Sequence, residues 1–449
     1  MNTQSLRTLD AVHVWHPCTQ MKDHEQLPPI VIERGEGIYL IDTDGKRYID
    51  GISSWWVNNL GHNHPRLNNA LIEQSRKIAH HIFANFTNEP ATILAAKLAS
   101  AAPGGLSRVF FTDNGSSAVE AALKMSFQYW QQSGFPEKVK FLSLTGAYHG
   151  ETLGALSVGG CELYRQIYRP ILLEGFQAKG PDCYRCAFGK HRENCNAECF
   201  SHVEKIVSKH HASIAAAIVE PLVQCAAGMR IYPPLYLQKL RALCDHFRIH
   251  YVADEIAVGF GRTGKMWANE HAGGSPDILC LSKGITGGYM PLAAVVVGEG
   301  IYRAFYDDYA TLKAFLHSHS YTGNALATAL AVEVLDIFED ESLIERLQPK
   351  IAHMASFRER FESLPHVGEF RQMGMIAAVE LVKDRESRES FPWEERRGFQ
   401  VFKKALEKGA LLRPLGDVIY FLPPLVIDTE AMDRLADIAF DSIREVAGG

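Results

Sequence analysis

The sequence predicts an α/β protein with a large domain around a central, mostly parallel sheet and a smaller α+β domain. Three observations lead to this prediction. Short apolar runs alternate with helix-like segments in the middle of the chain, residues 30–60 alternate in hydrophobicity, and the chain beyond about residue 331 mixes helices with short strands. We therefore expect residues 61–330 to form the large domain, and residues 1–60 together with 331–449 to form the small one.

Six apolar runs predict the strands of the large sheet, because a strand covered on both faces is apolar along its whole length. Helices with a 3.6-residue apolar period are expected between them, over 117–130 and 235–247. The N-terminal alternation contains Asp44-Gly45, which is typical of a hairpin between antiparallel strands. The six runs are RVFFT at 108–112, KFLSL at 140–144, AAAIV at 215–219, HYVA at 250–253, ILCL at 278–281 and AAVVV at 293–297.

Composition and charge exclude several classes of protein. The chain has 449 residues, 47% of them hydrophobic, and a formal net charge of -6, so it lacks the basic surface of a nucleic-acid-binding protein. Its longest apolar stretches are too short to span a bilayer, and no basic segment precedes an apolar one at the N-terminus as in a signal peptide. We expect a cytoplasmic protein with neither nucleic acid nor membrane as a partner.

Ligands of open α/β sheets bind at the carboxyl ends of strands, and two predicted strands are followed there by suitable groups. Gly115 and Ser116 follow the run at 108–112 and begin a helix, whose first N–H groups suit a phosphate. Such a sequence is, by itself, more often only a helix cap. Tyr148 follows the run at 140–144 beside glycines, where it could stack on a planar ligand or simply pack in a loop.

Two further strand ends carry an acid and an amine. Asp254 follows the run at 250–253, and a buried carboxylate there would keep a pyridine nitrogen protonated, although a helix cap or ion pair is the alternative. Lys283 follows the run at 278–281, and a lysine whose pKa is lowered by burial can form a Schiff base, although most lysines are solvated. Each signal is weak alone, but their joint order predicts a pyridoxal phosphate (PLP) site.

Two longer segments carry a family resemblance. VADEIAVGFGRTG at 252–264 and SKGITGGYMP at 282–291 resemble the signature of the class-III PLP-dependent aminotransferases. The resemblance runs from about residue 12 to 445. It implies the fold-type I (aspartate-aminotransferase-like) PLP transferase fold and a homodimer with active sites at the interface.

Other segments are most similar to the family members that aminate 8-amino-7-oxononanoate in biotin biosynthesis. The substrates implied are that keto acid and an amino donor, S-adenosylmethionine or lysine. The alternative is another class-III ω-aminotransferase, which acts on a diamine or ω-amino acid with a keto acid acceptor; a non-catalytic PLP-fold or metal-binding regulatory protein is a remote one. The segments are WHP at 15–17, TQM at 19–21, SSWW at 53–56, YHG at 148–150, HSHSYTGN at 317–324 and RPLGDVIYFLPP at 413–424.

The resemblance implies a role for each site residue. Lys283 would hold PLP and move a proton between substrate and cofactor, Asp254 would bind the pyridine nitrogen, and Tyr148 would cover one ring face. The expected catalytic residues are Lys283, Tyr148 and Asp254. The expected cofactor-binding residues are Gly115, Ser116, Tyr148, Asp254, Ile256 on the other ring face, Gln224 near the phenolic oxygen, Lys283, and His319 and Ser320 from the partner subunit.

Substrate contacts are implied in the same way. Trp55 and Trp56 would form an apolar wall for a methylene chain, unless they are ordinary core aromatics, and Arg413 would pair with the distal carboxylate. The expected substrate-binding residues are Trp55, Trp56, Tyr148, Lys283, Ser318, Arg413 and Cys18.

Three positions depart from the family pattern. Ser320 in place of a threonine is the mildest change, because both side chains carry a hydroxyl. Cys18 stands where better-known members carry a tyrosine that lines the donor pocket, so the choice between S-adenosylmethionine and lysine stays open. Glu151 stands where an aspartate is common.

A cysteine-rich insertion is the other unusual feature. Four of the nine cysteines lie within it, Cys183, Cys186, Cys195 and Cys199, with His191 between the two pairs. Short paired spacings could hold a structural zinc ion or an iron–sulfur cluster remote from PLP, although they fit no standard finger. The alternative is a surface loop with reduced thiols, so no metal ligand is assigned.

Overall fold

The computed structural model describes residues 1–447, which contain sixteen strands and fifteen helices, of which the four-residue helix α2 has positive φ angles throughout. The strands are β1 (Ile32–Glu36), β2 (Tyr39–Asp42), β3 (Arg47–Asp50), β4 (Leu106–Thr112), β5 (Lys140–Leu144), β6 (Phe176–Ala178), β7 (Ile214–Val219), β8 (Val223–Gln224), β9 (Arg230–Ile231), β10 (His250–Asp254), β11 (Ile278–Leu281), β12 (Ala293–Gly298), β13 (Val367–Met373), β14 (Ile376–Leu381), β15 (Ala410–Leu411) and β16 (Val418–Phe421). The helices are α1 (Thr3–His13), α2 (Ser53–Trp56), α3 (Pro65–Ser75), α4 (Glu89–Ala101), α5 (Gly115–Gln132), α6 (Leu153–Val158), α7 (Glu162–Arg165), α8 (Ser201–His210), α9 (Pro234–Phe247), α10 (Glu299–Arg303), α11 (Ala325–Asp340), α12 (Leu343–Ala355), α13 (Phe357–Glu362), α14 (Arg397–Glu407) and α15 (Thr429–Ala447).

The large sheet has seven strands in the order β4-β12-β11-β10-β7-β5-β6. Every neighbouring pair is parallel except those made by β12, which is antiparallel to both β11 and β4. The predicted mostly parallel sheet is therefore confirmed. All six apolar runs form its strands, whereas β6 has only three residues and too short a pattern to predict.

Both faces of this sheet are buried, as continuous apolar strands require. Successive residues of β11 show this, because Ile278 and Cys280 belong to one hydrophobic cluster while Leu279 and Leu281 belong to the other. Helix α5 packs against β11, β12 and β7. Burying a side chain such as leucine contributes roughly 1.5–3 kcal/mol, so the sheet is a rigid support for the loops at its edge.

The two ends of the chain meet in a second, four-stranded sheet, in which β15 lies parallel to β3 beside the antiparallel strands β1 and β2. The β2–β3 turn contains Asp44 and Gly45, which has φ +82°. The side chain of Asp42 accepts hydrogen bonds from the N–H groups of Asp44 and Lys46, which fixes the turn. The boundaries of the domains stay a prediction.

Strands β4, β5, β7, β10 and β11 all run in one direction, so their carboxyl ends lie along one edge of the sheet. The segments that follow them are where the sequence predicts the site. Among residues 1–447, no helix combines the length and the apolar character needed to cross a bilayer.

Candidate active site

A cavity of about 410 Å³ opens at the carboxyl edge of the large sheet. Five strand ends supply its wall, because each parallel strand is followed by a loop at that edge. The residues that bear on the chemistry are Gly115 and Ser116 after β4, Tyr148 and His149 after β5, Glu220 after β7, Asp254 and Ile256 after β10, and Lys283 after β11. The structure thus brings together the phosphate turn, the stacking aromatic, the acid and the lysine.

Lys283 follows β11 directly and has a left-handed backbone with φ +48°. The preceding residue fixes this bend, because Ser282 Oγ donates to the carbonyl of Leu292 at 2.8 Å. Lys283 Nζ lies 5.2 Å from the ring centroid of Trp56. Burial lowers the pKa of Lys283, and the charge of Asp254 acts in the opposite direction. A lowered pKa increases the fraction of neutral amine, which is the nucleophilic form.

Asp254 is held by His149, a residue that the sequence pattern alone does not single out. His149 Nδ1 lies 2.7 Å from Asp254 Oδ2, and both residues are almost fully buried. Asp254 Oδ1 accepts the N–H of Ile256 at 3.0 Å. This fixes a buried carboxylate at the cavity wall, which is what a protonated pyridine nitrogen requires. The position of His149, one residue after Tyr148 at the same strand end, was the signal that could have identified it.

The turn after β4 has the form of a phosphate site. Asn114 caps α5 by accepting the N–H of Ser117 at 3.0 Å, and this 18-residue helix directs its N-terminus at the cavity. A Cβ on Gly115 would lie 3.0 Å from Ile256 Cγ2, so Ile256 packs directly against the turn. Ser116 Oγ accepts the N–H of Glu151 at 2.9 Å.

Tyr148 is fixed at both its backbone and its hydroxyl. Its N–H donates to Glu220 Oε2 at 2.9 Å, and its hydroxyl donates to Glu151 Oε1 at 3.0 Å. Burial, helped by the charge of Glu151, raises the pKa of Tyr148, so the phenol stays protonated. Burial also raises the pKa of Glu220 to about 7. Glu220 has no assigned role in the sequence pattern, although it stands immediately after β7.

Gln224 is buried and donates from Nε2 to the carbonyl of Thr145 at 3.1 Å. Its Oε1 has no hydrogen-bond partner within residues 1–447. The side chain stands behind the loop after β5 and does not line the cavity. Its contact with a phenolic oxygen therefore stays a prediction.

Cys18 and Arg413 meet at a second, larger cavity of about 1730 Å³, which Glu151 also lines. Arg413 Nη2 donates to the carbonyl of Cys18 at 2.8 Å, and its guanidinium lies 4.6 Å from the ring centroid of Trp55. Cys18 Sγ is 3.9 Å from Glu151 Oε1. Burial, followed by the charge of Glu151, raises the pKa of Cys18, which keeps the thiol protonated.

The two tryptophans differ in their surroundings. Trp55 is 42% exposed beside Arg413, whereas Trp56 is 5% exposed and donates from Nε1 to the hydroxyl of Tyr420 at 3.0 Å. Trp56 nevertheless lines the smaller cavity, so it is both a packed residue and part of the wall.

The segment expected to reach a partner subunit lies beside the phosphate turn of its own chain. His319 Nδ1 is 3.4 Å from Asp113 Oδ2, while Ser318 and Ser320 are exposed. The contact of His319 and Ser320 with a phosphate in the partner subunit stays a prediction.

The four clustered cysteines line one small cavity of about 40 Å³, and all four are free thiols. Burial, followed by the neighbouring Cys199, raises the pKa of Cys183 to about 12. Within the described part of the chain, the one group with three potential metal-ligating atoms within 4.8 Å of one another is Asp10, His16 and His24. The four sulfur atoms do not meet that distance, and no metal ligand is assigned to them.

The chain belongs to the class-III aminotransferases, since the family model for "Aminotransferase class-III" matches residues 19–443. This confirms the resemblance found in the sequence. Among its relatives, the adenosylmethionine-8-amino-7-oxononanoate aminotransferase of Geobacter sulfurreducens is 48% identical over 449 residues, which cover 100% of this chain and 99% of the relative. The enzyme of the same name from Nitratidesulfovibrio vulgaris is 46% identical over 96% of this chain and 80% of its own.

Solved structures show the same fold. The adenosylmethionine-8-amino-7-oxononanoate aminotransferase of Methanocaldococcus jannaschii superposes with a TM-score of 0.94 at 38% identity, over 99% of this chain and 100% of that chain. A thermostable ω-transaminase variant from Pseudomonas jessenii also reaches 0.94, at 33% identity over 99% of both chains. The fold-type I expectation is thereby confirmed.

Proposed function

We propose that this protein uses PLP to transfer an amino group to 8-amino-7-oxononanoate, which yields 7,8-diaminononanoate in biotin biosynthesis. The observation that carries the proposal is the 48% identity, over the whole chain, to a relative named for this reaction. We further propose a homodimer in the cytoplasm.

The residues around the smaller cavity fit PLP. Lys283 would hold its aldehyde end, Asp254 its pyridine nitrogen, and the turn at Gly115 and Ser116 its phosphate. The fit rests on three features of the wall: a buried carboxylate, an amine with a lowered pKa, and a helix N-terminus on one edge of the sheet. When bound, PLP supplies the electron sink that allows a C–H bond beside the amino group to break.

The chain itself supplies the proton transfer and the orientation. Lys283 Nζ would take the proton from the substrate carbon that bears the amino group and deliver it to the cofactor carbon bonded to the same nitrogen. Asp254, held by His149, would keep the ring nitrogen protonated. Tyr148 would cover one face of the ring and would keep its own proton, because its hydroxyl donates to Glu151.

Substrate recognition falls to the larger cavity. Arg413 gives one N–H to Cys18 and keeps further donors for the carboxylate of the keto acid. Trp55, which lies against Arg413, and Trp56, in the wall of the smaller cavity, offer apolar surface for its methylene chain between Arg413 and Lys283. Glu151 attracts a cationic donor, and both S-adenosylmethionine and lysine are cations, so the carboxylate serves either of them.

A second candidate is another ω-aminotransferase activity, acting on a diamine or ω-amino acid. The observation that favours it is the close superposition on an ω-transaminase at 33% identity. In that case Arg413 and the two tryptophans would bind a different carboxylate or chain.

The deciding experiment combines a spectrum with a product assay. Purified protein with PLP is mixed with S-adenosylmethionine, lysine or a diamine, one at a time. Loss of the visible absorption band of the lysine-bound cofactor identifies the true donor. 8-Amino-7-oxononanoate is then added, and 7,8-diaminononanoate is measured by mass spectrometry. Lys283→Ala is the inactive control. Formation of product with pyruvate or 2-oxoglutarate as acceptor, and none with 8-amino-7-oxononanoate, would favour the second candidate instead.

A further inference from the structure

Four successive residues, from Ser53 to Trp56, form one turn of left-handed helix. Their φ angles are 51°, 49°, 88° and 71° in chain order. The hydrogen bonds follow a helical pattern, since Trp56 N donates to Ile52 O at 2.9 Å and Val57 N donates to Ser53 O at 3.0 Å. Residues with a Cβ avoid this region and visit it singly. None of the four is glycine, so contacts from outside the turn must hold it.

The carboxylate of Asp50, at the end of β3, holds the turn. It is fully buried; its Oδ1 accepts the N–H of Ser54 at 2.8 Å, and its Oδ2 accepts the hydroxyl of Ser54 at 2.6 Å. His62 Nε2 lies 2.9 Å from the same Oδ2 and fixes the carboxylate from the other side. A second tie comes from Ser53 Oγ, which donates to Leu422 O at 2.7 Å.

The turn sets the direction of two aromatic rings. Trp55 lies under the guanidinium of Arg413, at 4.6 Å from ring centroid to Cζ. Trp56 reaches Tyr420 on one side and lies 5.2 Å from Lys283 Nζ on the other. Adjacent residues of a right-handed turn or a strand would point these rings in other directions, because side-chain direction follows the backbone.

We propose that Asp50 is a positioning residue for the substrate, which acts through Ser54 to hold the left-handed turn. This turn sets the directions of the Trp55 and Trp56 rings, along which the methylene chain of the keto acid lies. This inference rests on the proposed function. Asp50 itself lines neither cavity.

The first test is the kinetics of Asp50→Ala. A misplaced wall weakens contacts made equally in the ground state and the transition state, so we expect the KM for 8-amino-7-oxononanoate to rise about 30-fold while kcat falls less than about threefold. The tryptophan near-ultraviolet circular dichroism of the apoprotein should change as well. Asp42→Asn is the matched control, because Asp42 is also buried and also accepts backbone N–H groups, but in the β2–β3 turn. It should leave both readouts unchanged.

The second test is rescue by glycine. Glycine adopts positive φ without steric cost. If the carboxylate acts by holding the turn, Ser54→Gly added to Asp50→Ala should therefore lower the raised KM at least about fivefold. A role of Asp50 in packing alone would not be rescued.

The inference is overturned if Asp50→Ala keeps a wild-type KM, including the case in which only the apparent kcat falls with the folded fraction, or if the glycine brings no recovery. Its failure is distinct from failure of the proposed function, in which the wild-type protein makes no 7,8-diaminononanoate. The KM comparison is then made with the substrate that the enzyme does accept. The dichroism of the apoprotein reports on the turn in either case, and an unchanged spectrum in Asp50→Ala also overturns the inference.

Discussion

The guanidinium of Arg413 is oriented before any substrate arrives, by the carbonyl of Cys18 and the ring of Trp55. Arg413→Lys keeps the charge but loses the planar fork that binds a carboxylate through two parallel hydrogen bonds. A charge-assisted hydrogen bond contributes about 1.5–3 kcal/mol, so we expect the KM for the keto acid to rise roughly 10- to 100-fold with little change in kcat. Steady-state kinetics at saturating donor measure this. A fall in kcat at unchanged KM would contradict the role.

Cys18 stands where the family resemblance implies a tyrosine in the donor pocket. Cys18→Tyr would place a ring beside Glu151. The ring would attract either cationic donor, but it can stack only on the adenine of S-adenosylmethionine, and an aromatic pair contributes about 0.5–1.5 kcal/mol. The larger side chain would also reduce the volume open to a mobile lysine side chain. We expect the ratio of kcat/KM for S-adenosylmethionine over lysine to rise by about 2- to 10-fold. Cys18→Ser, which adds no ring, is the control and should leave the ratio unchanged.

At the scale of single elements, a buried histidine in the large sheet makes stability depend on pH. His250 at the start of β10 accepts or donates a hydrogen bond with Ser126 Oγ at 2.9 Å, and burial lowers its pKa to about 4. Between pH 6.5 and pH 4 His250 is protonated in the unfolded chain but neutral in the native protein. The free energy of unfolding therefore falls by about 3 kcal/mol as the pH is lowered through this range.

This dependence can be isolated by substitution. The carboxyls of Glu220 and Glu255 have pKa values raised to about 7 and about 8, and they act in the opposite direction, since their native forms hold protons that the unfolded chain releases. Both glutamates are present in wild type and in His250→Gln, so their contribution cancels in the difference in stability between the two proteins. We expect the melting temperature of His250→Gln to fall less than that of the wild type between pH 7 and pH 5. An equal fall in melting temperature for the two proteins would show that His250 is not the group responsible.

The elements also show what the sequence could and could not predict. The six long strands and the five residues named at their ends were predictable, because apolar runs and strand-end chemistry are local signals. The roles of His149 and Glu220 could not be predicted, because they depend on contacts with Asp254 and with Tyr148, which lie at the ends of other strands. The left-handed backbone at 53–56 could not be predicted either, because none of its four residues is glycine and the carboxylate of Asp50 holds it from outside the turn.

For the whole molecule, an apolar surface on two adjacent segments supports the proposed homodimer. Residues 80–88 and 309–321 touch through the rings of His80 and Tyr321, whose centroids are 5.0 Å apart. Exposed apolar side chains gathered on neighbouring segments are typical of a protein interface. Its large exposed side chains are Ile82, Phe86, Tyr309, Leu312, Leu316 and Tyr321.

Mixed dimers test whether each site takes Ser320 from the partner. Lys283→Ala removes the lysine, and Ser320→Asp sets a negative charge against the phosphate, so each variant alone should be nearly inactive. If a site combines the lysine of one subunit with Ser320 of the other, a hybrid of the two variants contains one intact site and one doubly altered site. Refolding or co-expression should then restore up to about a quarter of wild-type activity. Random pairing makes about half of the dimers hybrids, and each hybrid has one intact site out of two. If His319 and Ser320 serve the phosphate turn of their own chain, beside which His319 lies near Asp113, every site in the hybrid carries one alteration, and the mixture should remain as inactive as its parents.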